Sequence, residues 1–167
     1  MSFPEAAQVV TAALLTGVLG WAALSDVRTR RIPNLAVILV LALFPLWAIA
    51  GGAVSLPGAL GAGALAFAVG FGLYAFGVVG AGDAKLFAAV ALFAGITHLG
   101  AFALATVLVG GVMAVVSLIM RPRWTLMALL SGARLSSEQG IPYGVAISLG
   151  GAGAVWALSL NLPPFVG

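Results

Sequence analysis

The sequence predicts an all-α, polytopic membrane protein with about six transmembrane helices, and three observations lead to that class. Of the 167 residues, 63% are hydrophobic and only 7% charged, where an ordinary soluble domain carries about 25% charged residues. Mean hydropathy is +1.22. The apolar residues fall in long uncharged runs separated by short polar breaks. A span needs about 20 apolar residues to cross roughly 30 Å of hydrocarbon, so a chain of this length holds roughly five to seven spans. Little remains for anything else, and residues 1–167 read as a single membrane-embedded domain.

The first uncharged run, Ala6 to Ser25, makes one span. No basic residue precedes it, so it reads as a retained helix and not as a cleavable signal. It ends at Asp26-Val27-Arg28-Thr29-Arg30-Arg31. From Ile32 to Gly82 there is no charge, which suits two helices, at about 35–51 and 57–79, joined where Gly51, Gly52 and Pro57 favour a turn. After Asp83 and Lys85, the run Leu86 to Met120 divides at Thr97-His98-Leu99-Gly100 into a short helix and one of ordinary length. Tyr143 to Leu160 forms the last span before Pro163 and Pro164. In the polar stretch between, Trp124, Met127, Leu130 and Leu135 lie near helical spacing beside Arg121, Arg123 and Arg134. That pattern suits a short interfacial helix along the membrane surface, favoured over a substrate-binding element.

Threaded in alternation, these helices put Arg28, Arg30, Arg31, Lys85, Arg121, Arg123 and Arg134 on one side and leave Glu5 and His98 on the other. The positive-inside rule makes the basic side cytoplasmic. The pI near 10.2 therefore reflects charges that orient the chain in the bilayer, and no nucleic-acid partner is expected. Small residues at four-residue spacing, as in Ala13 with Gly17, Ala59 with Gly63, and Gly144 with Ser148 and Ala152, suit close approach of helices in lipid. The absence of cysteine excludes disulfides, zinc knuckles and thiol nucleophiles. A lone histidine, His98, offers no ligand set; neither metal nor cofactor is expected.

Four acidic residues remain: Glu5, Asp26, Asp83 and Glu138. Glu138, in a polar loop, reads as solvated. Asp26 and Asp83 both fall at cytoplasmic membrane boundaries, where ionisable groups are costly and point to function. If the two helix ends pack together, like charges in contact leave one carboxyl protonated. One carboxylate can then activate water while the other acid donates to a scissile carbonyl. The glycines in Gly80-Ala81-Gly82 would let a peptide approach closely. A plainer role for Asp83 is to cap the helix that follows.

Two segments carry a family resemblance, and a third supports it. Gly80-Ala81-Gly82-Asp83-Ala84-Lys85-Leu86 resembles the G-x-G-D-x-K-L signature of the type IV prepilin peptidases, which are aspartic proteases of the membrane. Asp26 to Arg31 followed by Ile32-Pro33-Asn34 is similar to that family's first motif, and Ile141-Pro142-Tyr143-Gly144 resembles the segment opening its last core helix. The resemblance implies that Asp26 and Asp83 are the catalytic pair, with Gly80, Gly82, Lys85, Pro33, Asn34, Pro142 and Gly144 in supporting motif positions. It also implies a prepilin or pseudopilin substrate, cut at the cytoplasmic boundary of the inner membrane. Without cysteines or a cytoplasmic insertion, the chain resembles the short CpaA/TadV-like form of tight-adherence (Tad/Flp) pilus systems, and methylation of the new N-terminus is not expected. Lys85 would either snorkel to the interface or tune the charge of the pair; Arg28, Arg30 and Arg31 read as topology determinants. A proton-coupled transporter and a non-catalytic pilus-assembly component are the competing functions, and a homodimer is left open.

Overall fold

The structure is a computed structural model that describes residues 3–52, 55–120 and 143–160. The regular structure among the described residues is all helical. It comprises α1 (Phe3–Thr29), α2 (Asn34–Ile49), α3 (Leu56–Ala75), α4 (Ala81–Met120) and α5 (Tyr143–Ser159). Among them α1, α3 and most of α4 are long and apolar enough to cross a membrane, while α2 and α5 are shorter apolar helices. The interfacial helix expected between Arg121 and Gly140 lies outside the described residues.

α4 is one helix by continuity and two limbs by geometry, because Gly95 breaks it with φ 63° and ψ 175°. That region of backbone space is essentially reserved for glycine. The sequence placed this division at Thr97–Gly100; the turn falls slightly earlier, at Gly95. The limbs fold back on each other about Gly95, so that Phe87 and Phe102 stack at a centroid distance of 4.7 Å.

The packing partners fix which ends lie together. α3 runs against the first limb of α4, with Gly63 facing Leu92 and Gly70 facing Ala84. The second limb runs against α5, with Gly150 at Thr106 and Gly110 near Tyr143. α5 also lies antiparallel to α1: Trp156 Nε1 donates to Thr16 Oγ1 at 3.0 Å near one end, and Asp26 meets Gly144 at the other. The C-termini of α1 and α3 and the N-termini of α4 and α5 therefore share one end of the bundle. At the opposite end Gln8 Nε2 donates to the Ala50 carbonyl at 2.9 Å, closing α1 against the end of α2.

Small residues act as expected in two of the three places. Ala59 and Gly63 are buried against α4, and Gly144 and Ser148 are buried in α5. Ala13 and Gly17 are exposed, and a Cβ on Gly17 would meet nothing within 4 Å. Among the described residues this pair marks no helix contact.

Candidate active site

The buried stripe of α1 consists of Thr11, Ala12, Leu15, Leu19, Ala22 and Asp26. These are helical three- and four-residue steps, so the face that packs into the core ends on a carboxylate. The sequence had Asp26 ending the first helix. In fact α1 continues through Thr29, and that extra turn keeps Asp26 on the inward face, where it is 6% exposed. Its Oδ2 accepts the Gly144 N–H at 2.9 Å. Gly144 lies in the first turn of α5, where backbone N–H groups have no helical partner and favour an anion.

Asp83 is held locally. It stands in the first turn of α4, and its Oδ2 accepts the Gly80 N–H at 3.2 Å, while the Ala84 N–H reaches the Gly80 carbonyl at 3.1 Å. Asp83 is therefore not the N-cap considered for it: it lies inside the first turn, and its carboxylate turns back to the N–H of the residue preceding the helix. Asp83 remains partly exposed, and it lines a cavity of about 600 Å³ between α3, both limbs of α4 and α5.

Ile32 ties the two carboxylates into one place. A Cβ built on Gly82, next to Asp83, would lie 3.1 Å from Ile32 Cβ. One built on Gly144 would lie 3.0 Å from Ile32 Cδ1 and 2.9 Å from Asp26 Oδ2. Ile32 thus packs against Gly82, next to Asp83, and against Gly144, the donor to Asp26, and the charge of Asp26 acts on Asp83. Gly80 completes the pattern, since a Cβ there would approach Asp83 Oδ2 to 2.8 Å. Each of the three motif glycines thus lies where an added Cβ would crowd one of the acids or Ile32.

The connection that delivers Ile32 is secured by α1. Ser25 Oγ donates to the Arg31 carbonyl at 3.0 Å, and Thr29 Oγ1 reaches the same oxygen at 3.4 Å. Arg30 adopts φ 54°, uncommon for a residue with a side chain, with its N–H on the Asp26 carbonyl at 2.8 Å. Its guanidinium interacts electrostatically with Asp26, which gives it a place in the site beyond setting topology. Pro33 occupies the cap position of α2 and Asn34 its first residue. Lys85 is exposed between buried Ala84 and Leu86. Pro142 lies outside the described residues.

The sequence reading missed the parts played by Ile32, Arg30, Ser25 and Thr29. Ile32 was visible as a motif letter, but its contacts come from α4 and α5 and carry no local signal. Among the described residues no group of three or more His, Cys, Asp or Glu is placed to hold a metal.

Residues 13–115 match the model of the type IV leader peptidase family. No curated protein and no solved structure matches. The matched span is more than half of the chain and contains both Asp26 and Asp83, whereas α5 lies beyond it. This helical membrane protein belongs to the type IV leader peptidase family.

Proposed function

We propose that the chain is an aspartic endopeptidase that removes the leader peptide of a prepilin or pseudopilin, with Asp26 and Asp83 as its catalytic pair. The observation that carries this reading is the meeting of two acids from distant parts of the chain at one end of the bundle, joined through Ile32 and interacting by charge. A backbone N–H on Oδ2 holds each carboxylate in place. The ionised acid takes a proton from water, whose oxygen attacks the scissile carbonyl carbon. The protonated acid donates to the carbonyl oxygen, and collapse of the tetrahedral intermediate returns a proton to the leaving amine. General acid–base catalysis of this kind contributes about 10²–10⁴-fold.

The carboxylate end of the bundle also carries Arg28, Arg30, Arg31 and Lys85, which supports a cytoplasm-facing site by the positive-inside rule. With the two limbs of α4 counted separately, six helical segments cross the inner membrane in alternation. The absence of cysteine supports the short peptidase of a Tad/Flp pilus system, without methyltransferase activity. A proton-coupled transporter would be better served by acids near mid-membrane, and both acids here lie at one end.

The test is coexpression with a small Flp-type prepilin, following the size of the pilin on a gel. The wild-type chain should cleave it, and Asp26→Ala and Asp83→Ala should not, at equal protein level. Cleavage surviving in either variant would overturn the mechanism.

A further inference from the structure

The cavity beside Asp83 has a shape and lining that the chemistry of the acid pair does not by itself require. Its volume, about 600 Å³, falls within the roughly 300–1,000 Å³ of ligand sites. It runs from Asp83 and Tyr143 at the carboxylate end toward Leu65 and Leu99. On the second limb of α4, Leu99 to Gly111 spans roughly 18 Å at about 1.5 Å per residue. Asp83 is the one charged residue on its wall among the described residues; the rest is almost wholly apolar. Gly70, Gly110 and Gly111 lie along it, and a Cβ on Gly111 would meet nothing within 4 Å. Val107, on the same wall, is 68% exposed.

An occupant that uses both features must be continuous: a peptide bond at the carboxylate, and an apolar body extending away from it along a wall of small residues. A lipid chain would match the apolar wall but bring no peptide bond to the acid. Walls of small residues let a helix backbone approach closely in lipid, where side-chain burial alone gives little drive for association. Resting on the protease reading above, we propose that this groove receives the apolar helix that follows the scissile bond. The helix docks with its N-terminal end at Asp83 and runs toward Leu99 between α3 and the second limb of α4. The groove thereby sets substrate choice by the apolar segment and not by the leader alone.

The test places p-benzoyl-phenylalanine at Val107, or at Val112 as a control on the same limb that is 63% exposed and not part of the groove. A Flp-type prepilin is coexpressed, and cleavage is scored in the same cells. The expected result is a prepilin adduct from position 107 that maps to the apolar segment, with about tenfold less from position 112, a ratio equivalent to about 1.4 kcal/mol of preference. Gly111→Leu, whose Cβ enters open space on the groove wall, should suppress that adduct and raise KM about tenfold with kcat retained, as expected when uniform binding is lost. Equal adducts from both positions, or adducts from position 107 to lipid or to a second copy of the chain alone, would overturn the proposal. Cleavage without a groove adduct would sink the docking and leave the protease reading standing, whereas a groove adduct without cleavage would do the reverse.

Discussion

Asp26 and Asp83 do the same kind of work in the proposed mechanism, yet they are held in opposite ways. Asp83 takes its backbone hydrogen bond from Gly80, three residues before it, so its placement belongs to the start of one helix. Asp26 takes its bond from Gly144, on the last helix, and depends on the docking of α5 against α1. The difference teaches where the site is vulnerable. A local bond re-forms whenever its helix forms; a long-range bond exists only when the bundle is assembled.

The glycines allow that asymmetry to be probed. At Gly144 an added Cβ is boxed in by Asp26 Oδ2 at 2.9 Å, Ile32 Cδ1 at 3.0 Å and Asp26 Cβ at 3.1 Å, so no single side chain can yield. Gly144→Ala should therefore lower kcat by about 100-fold, the scale of loss expected for a misplacement near 1 Å, with the protein still inserted in the membrane. Next in size is Gly95→Ala, which forces a Cβ into a backbone region that costs about 1–3 kcal/mol. It should lower thermal stability in detergent and, by shifting the second limb of α4, loosen α5 and Asp26 before Asp83.

At Gly80 the crowding atom is the far end of a side chain, Asp83 Oδ2 at 2.8 Å, which can rotate aside. Gly80→Ala should cost about tenfold in kcat, a barrier increase of about 1.4 kcal/mol. An effect at Gly80 larger than at Gly144 would reverse the comparison. Smallest is Ser25→Ala, which removes one hydrogen bond to the Arg31 carbonyl worth about 0.5–1.5 kcal/mol; it should reduce thermal stability slightly and activity by less than the other three.

How much of this was legible in the sequence follows the same division. Asp83 and its glycines form one contiguous segment, and their signal is complete within it. Asp26 was legible as a motif residue, but its burial required α1 to extend through Thr29, and no uncharged run reports a helix continuing past its own charges. The turn at Gly95 was placed a few residues late because Thr97 and His98 are more polar than the glycine that reverses the chain. Ile32 could be read as a letter and not as a contact: its neighbours, Gly82 and Gly144, are brought to it by three helices packing at once.

The central claim is that the two acids act as one unit. It is tested most directly by cleavage rates of one prepilin with Asp26→Asn, Asp83→Asn and the double variant, at matched protein level. Residues that act as a unit give strongly non-additive losses, so each single variant should fall by about 10³-fold or more, within the range of lost acid–base catalysis, and the double variant should be no worse. A single variant that keeps the wild-type rate, or a double variant whose loss is the product of the two single losses, would contradict the shared site.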